Sequence, residues 1–485
     1  MRIAIVHYHL QPCGVTRVIE HILEALSCYS ISLVVLTGQP PTGRLPCKYC
    51  VIPGLQYEPI RPHISASALA RTMEDAAKNA LGSSPDIWHI HNHSLCKNLA
   101  LPGALRELAN RGNRLLLHIH DFAEDGRPAN YAMMLRSVGY DKKNEMSRLL
   151  YPRADHVHYA VLNSRDYKFL SDAEVSPDCL HFLPNAVKLG ETTLHDDSSP
   201  EDQRQLWLYP TRAIRRKNLG EFLLWSAVAP EGHRFATTLG PENPEERARY
   251  LEWVRLAEEL DLPVDFEMGA NLDCSFEEVL QQSRSMVTTS VAEGFGLAFL
   301  EPWLINRSVC GRDLPEITND FRLNGIILPF LYDRLDIPVK WISLQKIVDI
   351  TTAALKHCFQ SYGRTMARND VDRLLGAWIQ RDCIDFGRLN EKMQELVLRK
   401  ITCNPGYFSE LSPTHLPTPK NCSTTKKSNR TLLNEKYSLS RYGKQLLNIY
   451  EKLAMSSVEP LTSHNGEILL DHFLAPKRLT LLRMD

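Results

Sequence analysis

The sequence predicts an α/β protein of two facing Rossmann-like domains, each a parallel sheet wound on both faces by helices. Three observations point there. Short, almost continuously apolar runs alternate with helical stretches, the pattern of strands buried on both faces. The alternation occurs twice, on either side of a polar stretch. The chain has 485 residues, more than one core usually organises at ~100–200 residues per domain.

In the first half, strands are expected over 2–8, 31–38, 86–92, 115–121, 156–163 and 181–187. After the first strand, "VTRVIEHILEAL" puts Val15, Val18, Ile19, Ile22 and Leu26 on one helical face, which completes a β-α-β rhythm. The stretch "LGETTLHDDSSPEDQRQ", 189–205, is polar, acidic and aperiodic, and reads as a linker. A second alternating set follows, with "LWLYPTR", "RFATTLG", "VDFEMG" and "SMVTTSV" as strands and "PEERARYLEWVRLAEEL" as an intervening helix. From about 340 to 400 the pattern is helical. Few apolar residues occur over 409–430, which is expected to be a mobile loop. Beyond it Leu439, Tyr442, Leu446, Ile449, Tyr450 and Leu453 form a helical stripe that must pack on something. The final "EILLDHFLAPKRLTLLR" is amphipathic and expected to dock on the body. The expected domains are therefore 1–190 and 206–405, then a loop over 406–436 and C-terminal helices over 437–485.

Hydrophobic residues make up 44% and charged residues 23%, with a formal net charge of -1 and no block of like charge. That argues against a nucleic-acid surface and favours a small-molecule partner. The apolar opening stops at His7, too short for a signal core or a membrane span, and reads as a buried strand. A cytoplasmic protein without a transmembrane segment is expected, and peripheral membrane contact is left open. Of the twelve cysteines only Cys47 and Cys50 are closely spaced; a zinc site would need a second such pair, so reduced structural thiols are expected.

The chemistry gathers in two places. In "SVAEGFGLAFLEP", 290–302, a strand end is followed by Glu293, then Gly294 and Gly296, which let the backbone turn tightly, then a helix containing Glu301. The helix start would suit a phosphate and the two carboxylates would accept hydrogen bonds from sugar hydroxyls. In "YPTRAIRRKN", 209–218, a strand ends in Arg212 and Lys217 opens the next helix, so two cations converge at a strand-end cleft, with Arg215 and Arg216 near. Cations so placed suit a diphosphate, both bound and departing.

These residues resemble the retaining glycosyltransferases of family 4, which have the GT-B fold: two Rossmann-like domains with a cleft between them and a C-terminal helix crossing back to the first. The resemblance covers most of 1–330 plus the helix at 437–454. Its most specific part is the E-x7-E pattern in "EGFGLAFLE". It implies that Glu293 contacts the donor hexose and Glu301 the nucleotide ribose, with Gly294, Phe295, Gly296 and Leu297 in the donor loop. Arg212 and Lys217 match the pair that holds the donor diphosphate. "HVHYAVLNS" and "FLPNAV" look like the family's strand before the domain hinge and the hinge approach itself, and "DIWHIHNH" like its D-hydrophobic-hydrophobic-H-x-H strand. "PCGVTR" resembles its first-strand loop, with Gly14 in place and Cys13 where a second glycine is usual. "LLLHIHDF" supplies His120, like the cleft histidine beside the donor sugar, followed by Asp121. In "SVCGRDLPEI" Arg312 replaces a usual glycine, and is expected to contact an anionic group of donor or acceptor.

The resemblance implies an enzyme that transfers a hexose from a nucleoside diphosphate sugar, its co-substrate, to a hydroxyl acceptor with retention of configuration, the acceptor bound mainly by the first domain. His120, Glu293, Arg212 and Lys217 would carry catalysis. No bound cofactor is expected. The H-x-H repeats His7/His9, His89/His91/His93, His118/His120 and His156/His158 put side chains on common strand faces, but a dinuclear hydrolase would want acids among them and Asp121 alone is evident, so no metal is expected. A GT-B-type epimerase and a non-catalytic nucleotide-sugar-binding protein are the alternatives. A phosphorylase would need a lysine motif for pyridoxal phosphate, which is not evident.

Overall fold

The computed structural model describes residues 1–57, 64–139, 143–188, 205–271, 279–280, 282–419 and 422–484. It forms two compact units. The first comprises Met1–Ala186, Cys358–Thr365 and Tyr437–Ala475, the second Val187–His357, Met366–Lys436 and Pro476–Asp485.

The first unit is built on strands β1 (Arg2–His7), β2 (Ser32–Thr37), β3 (Lys48–Val51), β4 (Ile87–His91), β5 (Leu115–Ile119), β7 (Val157–Val161) and β8 (Leu180–Phe182); the two-residue β6 (Pro152–Arg153) pairs with Thr462–Ser463 instead. The seven-stranded sheet has the order β3-β2-β1-β4-β5-β7-β8 with parallel pairings, Ile3 opposite both Leu33 and Ile87. Strand order reverses between β1 and β4, and ligands of such sheets bind outside the strands' carboxyl ends at that switch. The helix Gly14–Leu26 turns Val18, Ile19, Ile22 and Leu26 inward. Against it lies the helix Leu439–Ala454, whose Tyr442, Leu446, Ile449, Tyr450 and Leu453 are buried in the same cluster as Ile3 and Ile5.

The second unit has β9 (Leu206–Arg212), β10 (Arg234–Leu239), β11 (Val264–Asp265), β12 (Ser283–Thr288), β13 (Val309–Arg312) and β14 (Leu331–Tyr332). Their parallel order, β11-β10-β9-β12-β13-β14, is again the doubly wound arrangement, with its switch between β9 and β12. No helix among the described residues is long and apolar enough to cross a membrane.

Several expectations need correction. The stretch over 406–436 is not a loop throughout: it carries a 3-10 helix, Pro405–Glu410, and an α-helix, Ser423–Lys436. Its polarity reflects exposure, since Leu433 is buried and Asn429 ties the helix down, accepting from Ile327 N at 2.9 Å and donating to Ile327 O at 2.8 Å. The final amphipathic segment docks on the body as expected, but in two pieces. Its helix Gly466–Phe473 belongs to the first unit, while Pro476–Asp485 returns to the second, where Thr480 Oγ1 donates to Gly387 O and Arg388 Nη1 to Leu479 O. Residues Cys358–Thr365 leave the second unit for the first, because Tyr362 donates to Ala123 O at 3.1 Å and accepts from Arg127 N at 2.9 Å. The expected linker lies outside the described residues except for Gln205.

Candidate active site

At the switch of the second sheet, the segment after β9 and the segment after β12 are stitched together. Tyr209 Oη donates to Lys217 O at 3.0 Å and shares a 2.8 Å hydrogen bond with Ser290 Oγ. Thr289 Oγ1 lies 3.0 Å from Lys217 O, and Val291 N donates to Arg216 O at 3.0 Å. Arg215–Lys217 form a 3-10 turn, and Asn218, in the left-handed region at φ 53, hands the chain to the helix Leu219–Ala227. Glu293 is thereby set against two cations: Lys217 Nζ is 2.5 Å from its Oε1 and Arg216 Nη1 3.2 Å from its Oε2. Burial alone would raise the Glu293 carboxyl, but Lys217 and Arg216 outweigh it and hold its pKa at about 2.

Arg212 ends β9 but does not join Lys217. Its Nη1 pairs with Glu242 at 2.8 Å, on a carboxylate that is 78% exposed. The cation that accompanies Lys217 is Arg216, whose part the sequence left unassigned. An exposed pair such as Arg212–Glu242 is worth little, ~0–1 kcal/mol, so Arg212 can exchange it for a better anion at small cost.

The turn after Glu293 is fixed by Gly296, at φ 90, where an added Cβ would stand 2.9 Å from Phe299 Cδ2. Phe295 is buried edge-on to Phe321, with Gly294 half-buried before it and Leu297 opening a short 3-10 helix, Leu297–Phe299. Glu301 begins a helix of four residues, Glu301–Leu304. The helix expected to contain Glu301 is thus present but short, and offers little dipole to a phosphate: Asn306 takes a left-handed conformation that ends the run.

Arg312 does not face a ligand. It is 4% exposed and fully engaged by carboxylates, Glu221 at 2.6 Å and Asp385 at 2.7 Å from Nη2. Glu221 also accepts from Tyr332 Oη at 2.6 Å and Asn218 Nδ2 at 2.7 Å. The network thus positions the turn that carries Lys217, and Arg312, Glu221 and Asn218 are positioning residues that no local motif announced.

In the first unit, the carboxyl ends of β1, β4 and β5 bring histidines together. His120 Nε2 is 2.8 Å from His91 Nδ1; His89 Nε2 is 3.1 Å from His118 Nδ1, and its Nδ1 is 2.7 Å from Tyr450 Oη. Burial lowers the His120 pKa to about 4, with Asp121 opposing, so the ring is neutral near pH 7. Asn92 Oδ1 accepts from His120 N at 2.8 Å and Asp121 N at 3.0 Å and fixes this strand end. Two groups, His7/His9/Cys13 and His89/His91/His118, place ligand-type atoms within 4.8 Å of each other. In the second, His89 uses both ring nitrogens on Tyr450 and His118, while His91 Nε2 and His118 Nε2 are buried without a hydrogen-bond partner among the described residues. Gly14 opens the helix Gly14–Leu26, and an added Cβ there would meet nothing within 4 Å. The non-glycine at Cys13 costs the backbone nothing, since its φ of -158 is extended.

No family model matches the chain. It is 23% identical over 519 residues to a mannosylglucosyl-3-phosphoglycerate synthase from Petrotoga mobilis, covering 98% of this chain and 97% of that one. Its fold is similar to a sucrose-phosphate synthase from Thermosynechococcus elongatus, TM-score 0.55 at 13% identity, over 93% of this chain and 99% of that one. It is also similar to Anabaena HepE in complex with UDP-glucose, TM-score 0.52 at 11% identity, again over 93% and 99%. By these likenesses the chain is an enzyme of the GT-B glycosyltransferase type.

Proposed function

We propose that the chain is a retaining hexosyltransferase that moves a hexose from a nucleoside diphosphate sugar to a hydroxyl of its acceptor. The observation that carries this reading is the Glu293 carboxylate held between Lys217 and Arg216 at the carboxyl ends of β9 and β12. In the ligand-free state Glu293 occupies the cations. With donor bound, Lys217 and Arg212 turn to the diphosphate, and Glu293 accepts from the hexose hydroxyls. Glu301 takes the ribose. The cations then stabilise charge on the departing diphosphate, the term that most lowers the barrier of such a transfer. No metal is assigned to this step, because the side-chain cations supply the charge. Retention follows from attack on the face the diphosphate leaves, with a leaving phosphate oxygen taking the acceptor's proton. His120, neutral at working pH, positions the sugar rather than carrying charge.

The first unit is assigned to the acceptor. The Petrotoga relative is named for a mannosylglucosyl-3-phosphoglycerate product. We extend that chemical class to this chain: an acceptor sugar whose aglycone is acidic. A thermal-shift series with UDP-, GDP- and ADP-sugars, on wild type and Glu301→Ala, tests the donor assignment. Stabilisation by one nucleotide class, weakened about tenfold or more in the variant, is expected. Equal stabilisation of both proteins would remove Glu301 from the site, and no stabilisation of either would remove the donor site.

A further inference from the structure

The segments beyond β4 and β5 carry two cations, Lys97 and Arg127, and three carboxyls, Asp121, Glu124 and Asp125, and Lys97 forms an ion pair with none of them. Lys97 follows β4 through a short turn, His93–Leu95, and Cys96 at φ 57. Its Nζ stands over the Tyr57 ring, 4.5 Å from the centroid, half-buried and without a hydrogen-bond or ion-pair partner among the described residues. His9 meets the same ring edge-on, 5.2 Å between centroids, and its Nδ1 is buried with no partner. Arg127 is close enough to lower the Lys97 pKa further after burial has lowered it, while Asp121 opposes both. Asp121, the carboxylate that opposes this lowering, already pairs with Arg127 at 2.5 Å.

The arrangement is held in place. Asn98, next to Lys97, donates through Nδ2 to Gly54 O at 2.8 Å and Gln56 O at 2.7 Å, and its Oδ1 caps Ala100 and Leu101. Lys97 and Tyr57 are thus fixed to each other through their chain neighbours. A cation over a tyrosine face gains ~0.5–2 kcal/mol, which does not replace the hydrogen bonds that an ammonium makes in water. An oxyanion would supply them, with Lys97 and His9 as its nearest donors; Arg127, whose Nη1 donates to Phe122 O and Asp125 O and Nη2 to Asp121, adds positive charge beside it.

We propose that Lys97, with His9 and Arg127 beside it, forms a subsite for the acidic group of the acceptor, a phosphate monoester or a carboxylate. The inference rests on the assignment of the first unit to the acceptor. Lys97 is the specificity-determining residue: it distinguishes an acceptor with an acidic aglycone from a neutral sugar of the same size.

The test is calorimetric titration of the full chain with 3-phosphoglycerate, with inorganic phosphate in a parallel arm and UDP and GDP as reporters of the donor site. The proteins are wild type, Lys97→Met and Lys97→Arg. Binding of 3-phosphoglycerate to wild type is expected, about tenfold or more weaker in Lys97→Met and largely restored in Lys97→Arg. Nucleotide binding should match wild type in both variants, which shows them folded. Failure of 3-phosphoglycerate to bind wild type, or equal binding by Lys97→Met, overturns the subsite. Inorganic phosphate binding as tightly as 3-phosphoglycerate overturns its assignment to the acceptor. Absence of nucleotide binding strikes instead at the hexosyltransferase reading, and the 3-phosphoglycerate arm still decides the subsite.

Discussion

Arg312, Glu221 and Asp385 bury three formal charges in one hydrogen-bonded set. Removing such groups from water costs several kcal/mol each, and the set tolerates this because the guanidinium is matched on two sides by carboxylates. Arg312→Met should therefore leave two acids unpaired and lower unfolding free energy by ~3–5 kcal/mol in urea denaturation. A loss under about 1 kcal/mol would show that water or a neighbour replaces the arginine. Glu221 also holds Asn218, so the variant should weaken donor-nucleotide binding as well as the fold. None of this was legible around Arg312, because its partners lie 91 and 73 residues away in the chain. The Glu293/Glu301 spacing was legible because a glycine turn between two acids is local. That Arg216 rather than Arg212 joins Lys217 was not, since it depends on how the 3-10 turn at 215–217 points its side chains.

Among the elements, the helix Leu439–Ala454 shows how closely two segments can approach. Gly443 faces the helix Gly14–Leu26 so tightly that an added Cβ would stand 2.8 Å from Ala25 O and 3.2 Å from Ala25 Cβ. Gly443→Ala should destabilise by ~1–3 kcal/mol through overpacking. Gly376→Ala, in the helix Asp370–Trp378 where an added Cβ meets nothing within 4 Å, should instead be neutral or stabilising by up to ~1 kcal/mol. Thermal melts of the two variants check the contrast, and equal melting points would contradict it. The helical stripe that predicts this packing is plain in the sequence, as are β1, β4 and β5, whose runs are largely apolar. Less was visible where burial is slight or strands are short. β3 is an edge strand with an exposed tyrosine, Tyr49, and the strand expected over 264–269 keeps two residues. The helix Ser423–Lys436 is mostly solvated, so hydrophobic period does not reveal it.

At the scale of the whole molecule, buried histidines set the acid limit. Burial holds His7 and His89 at about 3 and His93 and His120 at about 4, all below the ordinary 6.5. The unfolded chain gains these protons as pH falls below 6.5 and the folded chain does not. Stability is therefore complete above pH 6.5 and is lost as pH falls toward the folded values, at roughly 1.4 kcal/mol per unit for each histidine. Glu124 works the other way, since burial raises it to about 7, but His158 and His464, held at about 4, and His181, at about 3, add to the histidine side. Urea midpoints should be flat above pH 6.5 and fall steeply between about 6.5 and 4; a flat profile to pH 4 would mean that these rings are hydrated. The path of the chain has a consequence for its synthesis. The first unit takes its last core helix from Leu439–Ala454 and its final residues from as far as Ala475. A ribosome that has already released β1 to β8 must make hundreds of further residues before that core can close. The face of the N-terminal sheet that this helix covers then waits through more than half of translation, and a nascent chain of this protein is the natural client of a chaperone until its C-terminus emerges.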